Sequence, residues 1–294
     1  MSAAHNAYTL VNPQDGHLAF KLFYFDSNVY FDHLQRNNYY SLIWIQTGTG
    51  KIKADFNDYD FVQNTLFAFS PYQPFMFFPA ENIRGIAVQF HPDFFCIHKH
   101  QAEVACNGVL FNNVYQPPFI TIDEASSGTL NSLLEQMKLE MQNAAMAQYE
   151  ILVSYLKIFL ITTSRIRTAQ QPEVSAMIKD IKQPFVLLDL KDAIEKHFKT
   201  KHSASDYANV LHISAKALAK LTKMYCNKTL TDLISERIII EAKRELYLTN
   251  KAVKEIAYEL GYEDEYYFSR FFKTNTDVSP QLYRETVGVG RGTA

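Results

Sequence analysis

The chain has 294 residues, of which 47% are hydrophobic and 20% are charged. This length predicts two domains, each large enough to bury its own core, and the composition excludes a disordered protein. The net charge is −2, with 12 basic and 16 acidic residues in positions 1–184 and 17 basic and 15 acidic residues in positions 185–294. Neither part is basic enough to indicate nucleic-acid binding by its total charge. Any evidence for such binding must therefore come from where the charges lie in the sequence.

No segment that would direct the chain to or across a membrane is recognisable. The first ten residues do not combine a basic region with an apolar one, as a secretory signal does. The most apolar run, residues 151–161, is too short to span a bilayer. Cys96, Cys106 and Cys226 are odd in number and lack metal-type spacing, which is typical of a reducing compartment. We therefore expect a cytoplasmic protein without membrane partners.

Short β-type runs separated by turn residues fill the region from about residue 10 to residue 119. Many short strands at close spacing predict an antiparallel barrel or sandwich. The predicted strands are Ala19–Tyr24, Tyr39–Gln46, Lys51–Asp55, Thr65–Phe69, Phe75–Phe78 and Gly85–Phe90. The predicted turns include residues 47–50, Asn57-Asp58, Ser70-Pro71 and Pro79.

Aromatic residues are concentrated in these strands. Tyr24, Tyr40 and Trp44 could line a barrel mouth and stack on a small-molecule effector, with Arg84 orienting a polar group of the ligand. The alternative for each ring is that it fills the barrel core.

Histidines next to the last strand raise the question of a metal site. His98 and His100 are followed by Glu103, but no turn glycine precedes them and no later histidine in the strand region completes a ligand set. The segment 92–104 also has a helical or irregular pattern. We expect no metal and no cofactor, and because no nucleophile–base pair or phosphate-binding loop is found elsewhere, no enzyme.

A helical period begins near Gly128 and continues to about residue 168. Apolar residues recur every three or four positions from Leu130 to Phe159, which predicts two helices with a break near residues 143–148. The stripe is wide for helices that only cover a barrel, so we expect part of it to hold a second copy of the chain. The alternative is packing within the chain. Polar residues with Pro172 and Pro184 then predict a linker, with a short helix at Val174–Ile181.

Residues 252–284 predict two short helices joined by a tight turn. The buried faces are marked by Ile256, Ala257 and Leu260 in the first helix and by Phe268, Phe271 and Phe272 in the second. Gly261 follows the first helix as a stop because only glycine takes a positive φ without steric cost, and Asp264 can cap the second. This arrangement is a helix-turn-helix, whose second helix enters the DNA major groove.

The same pattern occurs about 50 residues earlier. Tyr207-Ala208 and Leu211 correspond to Ile256-Ala257 and Leu260, and His212-Ile213 corresponds to Gly261-Tyr262. The segment 218–223 aligns with 268–273. The repeat therefore predicts two helix-turn-helix units in one domain. A connecting helix from Thr229 to about Leu248 would span about 30 Å, close to the ~34 Å between successive major-groove faces.

The second unit resembles the C-terminal signature of the AraC/XylS family of transcription regulators. The matching residues are Ile256-Ala257, Leu260-Gly261-Tyr262, Phe268-Ser269-Arg270, Phe272-Lys273, Ser279-Pro280 and Tyr283-Arg284. Asp277 stands where a glycine is common in the family. The resemblance implies an α+β multidomain chain: a cupin-like antiparallel β-barrel at 1–125, dimerisation helices at 126–168, a linker at 169–184 and an all-α DNA-binding domain at 185–294.

The DNA-contacting residues are those left after the buried positions are removed. They are Lys216, Ala219, Lys220 and Lys223 in the first recognition helix and Glu265, Tyr266, Ser269, Arg270 and Lys273 in the second. Arginine reads guanine and glutamate can accept from cytosine, whereas Lys223 and Lys273 are expected near phosphates. The alternative is that these residues are solvated charges.

The sequence thus predicts a DNA-binding regulator with double-stranded DNA as its main partner. A homodimer, a small-molecule effector and RNA polymerase are the further expected partners. The first alternative is a regulator that answers to a protein partner without an effector. The second is a metal-dependent cupin enzyme fused to a DNA-binding domain.

Overall fold

The computed structural model describes residues 7–12, 16–55, 57–78, 82–104, 109–111, 114–143, 145–170 and 184–287. By its internal contacts the chain divides into two compact units. Unit 1 comprises Met1–Asn113 with Pro118–Gln170, and unit 2 comprises Val114–Pro117 with Gln171–Ala294. The predicted helix at Val174–Ile181, most of the predicted linker and the predicted turn at Pro79 lie outside the described residues.

The described residues of unit 1 form nine strands in two antiparallel sheets. The strands are β1 (Ala7–Val11), β2 (Leu18–Phe25), β3 (Tyr40–Thr47), β4 (Gly50–Ala54), β5 (Asn57–Phe61), β6 (Thr65–Phe69), β7 (Phe75–Phe77), β8 (Arg84–Phe90) and β9 (Phe119–Thr121). Six of them form one sheet in the order β1-β2-β8-β3-β6-β9, and three form the other in the order β5-β4-β7. The described strands thus form two separate antiparallel sheets, and no closed barrel is found among them.

Both faces of the six-stranded sheet are buried, and alternate residues of each strand enter different cores. On β3, Leu42 and Trp44 belong to a core shared with the helices of unit 1, whereas Ile43 and Ile45 belong to a core between the two sheets. This follows from the period of two in a strand, which sends successive side chains to opposite faces. The core between the sheets is dominated by phenylalanines, namely Phe23, Phe25, Phe31, Phe61, Phe67, Phe69, Phe75 and Phe77.

The six predicted strands correspond to β2, β3, β4, β6, β7 and β8, and the turn at 47–50 separates β3 from β4 as expected. Asn57-Asp58 was wrongly predicted as a turn, because these residues begin β5 and pair with β4. The change of direction comes earlier, where Asp55 adopts a left-handed backbone with φ of 54°. The strands β1, β5 and β9 were not predicted.

Two long helices cover one face of the larger sheet, after a one-turn helix α1 (Gln101–Val104). They are α2 (Glu124–Gln142) and α3 (Gln148–Gln170), which confirms the predicted break. The helix α2 begins before Gly128 because the Asp123 carboxylate accepts a hydrogen bond from the Ser126 N–H and caps it. Leu134, Leu152 and Leu156 are fully buried against the sheet.

Unit 2 contains seven helices in its described residues. They are α4 (Pro184–His197), α5 (Ala204–Val210), α6 (Ala215–Cys226), α7 (Leu230–Leu248), α8 (Val253–Glu259), α9 (Glu265–Thr276) and α10 (Pro280–Val287). No helix of the described residues, in either unit, is long and apolar enough to cross a membrane.

Candidate nucleic-acid interface

The first helix-turn-helix motif consists of α5 and α6. Ser203 caps α5 in a reciprocal capping box with Asp206, and the hydrogen bonds from Ser203 lower the pKa of the Asp206 carboxyl. Tyr207 lies in the core, and its burial raises the pKa of its hydroxyl to about 12. The turn passes through His212, whose φ is 55°, and Ser214 then caps α6.

The second motif consists of α8 and α9 and confirms the predicted anatomy. Ile256, Ala257 and Leu260 are fully buried, and Gly261 has a φ of +81°. The Asp264 carboxylate accepts from the Tyr266 N–H at 2.8 Å and caps α9. Asp277 follows α9 with a φ of 64°, so it takes the left-handed position after a helix that glycine usually fills.

The C-terminal helix α10 stabilises this second motif. The ring of Tyr283 packs edge-on against Phe272, with 5.7 Å between the ring centres. The Arg284 guanidinium donates to the Lys251 carbonyl at 2.6 Å, which ties α10 to the segment before α8. The Tyr283-Arg284 pair of the sequence signature therefore supports the motif and does not belong to its exposed face.

The turn of the second motif packs directly against the segment that precedes the first. A side chain at Gly261 would collide with the carbonyl oxygen of Lys199, and the ring of Tyr262 lies 4.8 Å from that of His202. Burial raises the pKa of the Tyr262 hydroxyl. Through this contact each motif limits the movement of the other.

The long helix α7 joins the two motifs, as predicted, with Thr229 as its N-cap in a capping box with Asp232. Its 19 residues span roughly 28 Å. Most of its charged residues are in ion pairs: Glu241 accepts from both Arg237 and Arg244 within the helix, and Glu236 and Glu245 pair with lysines next to it. Because one face also carries buried leucines and isoleucines, α7 is a rigid spacer.

The recognition helices α6 and α9 differ from α7 in how their cations are placed. Each of the five cations on α6 and α9 is exposed, and no ion pair to any of them occurs within the described part of the chain. These cations are Lys216, Lys220, Lys223, Arg270 and Lys273. Unpaired cations on the outer faces of two helices are available for phosphates and base edges.

The remaining candidate residues lie on the same faces. Ala219 is exposed, Tyr266 is 78% exposed, and Glu265 and Ser269 are half-buried. Leu218, Phe268 and Phe272 are buried, as the helical period predicts. The exposure of these candidates is compatible with DNA contact, and their contacts with DNA stay a prediction.

Sequence reasoning did not select Tyr267, which is 58% exposed beside Tyr266. Its ring also packs at 5.9 Å from that of Tyr262, so its position is fixed by the turn. Its signal in the sequence is weak, because Tyr267 lies four residues before Phe271 and the helical period places both on the same side of α9.

The four effector candidates do not surround one cavity. Tyr40 and Trp44 are buried in the core beneath the helices, and Tyr24 donates to the Glu135 carboxylate of α2 at 2.7 Å. Arg84 is exposed at the start of β8. The three aromatic residues thus lie on the helix-covered face and not between the two sheets, where the mouth of a barrel would open.

The histidines expected to bind no metal are engaged with neighbouring side chains. His100 lies 2.9 Å from Glu103, and Glu103 also pairs with Lys157 of α3. The ring of His100 stacks on Phe95. In the described ranges no group of three or more His, Cys, Asp or Glu side chains could hold a metal ion.

Two helix-turn-helix motifs on one rigid spacer define a DNA-binding domain. A family profile of the helix-turn-helix domain matches residues 207–286. The chain is 32% identical over 108 residues to the transcriptional activator Btr of Bacillus subtilis, a match that covers 35% of this chain and 20% of Btr. It is 29% identical over 96 residues to the raffinose operon regulatory protein RafR of Pediococcus pentosaceus, covering 33% of this chain and 35% of RafR.

Among solved structures, the chain is similar to ToxT of Vibrio cholerae with an unsaturated fatty acid bound. The identity is 15%, the TM-score is 0.40, and the match covers 99% of this chain and 96% of ToxT. The helix-turn-helix match and the curated relatives show that this chain carries a helix-turn-helix domain similar to those of known transcription regulators, and the residues of its second motif match the AraC/XylS signature. The chain spans about a fifth of the length of Btr and about a third of that of RafR.

Proposed function

We propose that this protein is a sequence-specific DNA-binding transcription regulator. The observation that carries the proposal is the set of five unpaired cations on the exposed faces of α6 and α9. A phosphate-binding surface needs such cations, whereas a purely structural helix pair would neutralise them as α7 does. On this proposal residues 185–294 bind DNA, residues 1–125 and 126–168 regulate them, and residues 169–184 link the two parts.

The residues at the start of each recognition helix are proposed to read bases. Lys216 and Lys220 on α6, and Glu265, Tyr266, Ser269 and Arg270 on α9, occupy the part of the helix that enters the groove. Ala219 lies among them and can approach a thymine methyl group. Lys223 and Lys273 lie further along and are proposed to contact phosphates.

Alanine substitutions in the full chain test this assignment. A preferred site is first selected from random duplexes, and binding is then measured by fluorescence anisotropy over a range of salt concentrations. Arg270→Ala should weaken binding to the preferred site by about 1–3 kcal/mol and relax the preference at one base pair. Lys273→Ala should weaken binding to every duplex and reduce the salt slope by about 1.

Lys51→Ala is the control, because Lys51 is an exposed lysine on β4 of unit 1. It should bind DNA like the unchanged protein. If Arg270→Ala and Lys273→Ala also bind like the unchanged protein, the proposed interface is wrong. If Arg270→Ala weakens all duplexes equally, Arg270 contacts phosphate and does not read a base.

Unit 1 is proposed to be the regulatory half, of the cupin-like type and controlled by a small-molecule effector. The space between its two sheets is packed with phenyl rings, such as the stacked pair Phe69 and Phe75 at 4.0 Å. An effector there would have to displace these rings. An effector that contacts Tyr24, Tyr40 and Trp44 would need the helices to move, whereas Arg84 is already exposed. The alternative is control by a protein partner. Metal analysis of the purified protein tests the cupin-enzyme alternative.

A second copy of the chain is the proposed partner of α3. Its exposed side carries Ile158, and the partly buried residues Ile151, Tyr155 and Thr162 flank it. These residues are spaced four, three and four apart, which is the heptad spacing of a helix pair. Ile158 is 47% exposed, although its neighbours Leu156 and Phe159 are fully buried. A homodimer through this face would bring two DNA-binding domains together on one duplex.

The proposed site of action is chromosomal DNA, where RNA polymerase is a further proposed partner. We therefore propose that the protein is cytoplasmic.

A further inference from the structure

A cavity of about 360 Å³ lies at one end of the larger sheet of unit 1. It is bounded by the ends of β1 and β2, by the segment that follows β8 and by the first turn of α3. This volume is within the range of ~300–1,000 Å³ that is typical of small-molecule sites. None of the four predicted effector residues lines it.

One side of the cavity is an apolar corner. Leu10, Leu18 and Ala19 form part of the wall, and the rings of Phe94 and Tyr149 meet edge to face with 4.9 Å between their centres. The Tyr149 hydroxyl donates to the Phe94 carbonyl at 2.6 Å, which holds the two rings in place. A flat or aliphatic ligand body can pack in such a corner.

The lining also carries polar groups that are fixed by their own hydrogen bonds. His91 is buried, its Nδ1 accepts from the Asp93 N–H at 3.2 Å, and it lies 3.3 Å from the Asp93 carboxylate. The Gln148 amide donates to the Glu140 carbonyl at 2.7 Å, so its orientation at the start of α3 is set. Among the lining residues that the structure describes, Asp93 is the only carboxylate and none is a lysine or an arginine.

This balance of charge selects among ligands. An anionic molecule would meet the Asp93 carboxylate and neither a lysine nor an arginine of the described lining, so the loss of its hydration would be poorly compensated. A cationic donor would form a charge-assisted hydrogen bond with Asp93, while its apolar body packs against Phe94 and Tyr149. We propose that the cavity binds a small organic amine with an aromatic or aliphatic body.

The position of the cavity suits a role in regulation, and this role rests on the proposed function. Gln148 and Tyr149 belong to the first turn of α3, the helix whose outer face is proposed to hold the second copy. A bound amine would connect this turn to the sheet, and it would stabilise the orientation of α3. Binding of the amine itself does not depend on that role.

The test uses three probes, phenethylamine, 2-phenylethanol and phenylacetate. Each has a phenyl ring on a two-carbon unit, and they differ in the polar group, which is an ammonium, a hydroxyl or a carboxylate. Binding of each to the full chain is measured by saturation-transfer NMR and titration. We expect phenethylamine to bind most tightly, and phenylacetate not to bind. The proposal is overturned if none of the three binds or if phenylacetate binds best.

Two variants locate the binding. Ala19→Phe should fill the cavity and abolish binding of phenethylamine. Asp93→Asn should weaken the binding of phenethylamine about tenfold or more, because a charge-assisted hydrogen bond is lost. The same variant should leave the binding of 2-phenylethanol unchanged. Asp60→Asn, an exposed carboxylate on β5, is the matched control and should not affect either probe. If circular dichroism shows that Ala19→Phe and Asp93→Asn are both folded and both still bind phenethylamine like the unchanged protein, the proposal is overturned.

DNA binding is measured on the same samples. A protein that binds duplex DNA but none of the probes would refute the amine site and leave the proposed function standing. A protein that binds phenethylamine through Asp93 but no DNA would refute the proposed function and support the site.

Discussion

At the scale of single residues, the two helix-turn-helix motifs meet the same steric demand differently. The turn of the first motif accepts His212 with a φ of 55°, so a Cβ atom is tolerated there. The turn of the second has a φ of +81° at Gly261, where a Cβ atom would also collide with the Lys199 carbonyl. The difference is the close approach of the Lys199–His202 segment, and it makes glycine necessary in one motif only.

Gly261→Ala should therefore destabilise unit 2 by about 3 kcal/mol, since the strain of a left-handed alanine adds to the displacement of Lys199. Urea unfolding followed by circular dichroism measures this loss. Gly16→Ala is the control, because Gly16 has a φ of +71° but no atom within 4 Å of an added Cβ. It should cost only about 1 kcal/mol. Equal losses would show that the contact with Lys199 is not the cause.

A buried ion pair joins the first recognition helix to the connector. The Lys228 ammonium, 5% exposed, lies 2.8 Å from the Glu236 carboxylate of α7, at the junction between α6 and α7. Lys228→Met should destabilise the protein by about 3 kcal/mol because it leaves a buried carboxylate without this partner. The double variant Lys228→Met with Glu236→Leu should be within about 1 kcal/mol of the unchanged protein.

The exposed pair Lys51 and Asp60 gives a matched control for that experiment. Lys51→Met should change the free energy of unfolding by less than about 1 kcal/mol, because an exposed ion pair contributes little. If Lys228→Met and the double variant lose the same stability in urea unfolding, the buried charge is not the source of the cost.

At the scale of elements, the sequence shows where a strand lies more readily than which of the two cores each of its side chains enters. The strands β2, β3 and β8 were predicted from their apolar composition, but both faces of the sheet are buried, so alternation could not assign Trp44 or Tyr40 to a face. β5 was missed because Asn57 and Asp58 are typical turn residues, and its place in the sheet depends on pairing with β4. The recognition helices were predictable because each has one exposed polar face and one buried apolar face, which gives a clear helical period in the sequence.

The same reasoning separates two roles of the helical stripe in unit 1. Leu134 and Leu152, both within the predicted dimer stripe, are fully buried against the sheet, so they pack within the chain. Charged residues at these positions would unfold unit 1 and would not report on a dimer. The surface left for a second copy is the outer face of α3 around Ile158.

Ile158→Glu should convert the proposed homodimer into a folded monomer, because a half-exposed isoleucine becomes a charge in the centre of the seam. Light scattering after size exclusion measures the mass, and circular dichroism confirms the fold. Ala169→Glu introduces the same charge on an exposed residue near the end of α3 and should leave the dimer intact. A dimer that persists in Ile158→Glu would place the interface elsewhere.

At the scale of the whole molecule, function depends on how α7 sets the two recognition helices. The helix spans roughly 28 Å, and its paired charges and buried face make it stiff. The contact of Gly261 and Tyr262 with the Lys199–His202 segment restricts the second motif further. We therefore expect the two recognition helices to enter major grooves on one face of the duplex, about one helical turn apart.

The preferred site should therefore contain two short blocks whose spacing cannot be changed freely. Inserting five base pairs between them turns the second block to the opposite face of the duplex, so one of the two motifs loses its groove. We expect the affinity of the full chain to fall at least tenfold, or about 1.4 kcal/mol, in anisotropy titrations. The same five base pairs added outside the site are the control and should not change the affinity. If the insertion between the blocks is tolerated equally well, α7 does not fix the distance between the motifs, and the two would have to reach DNA independently.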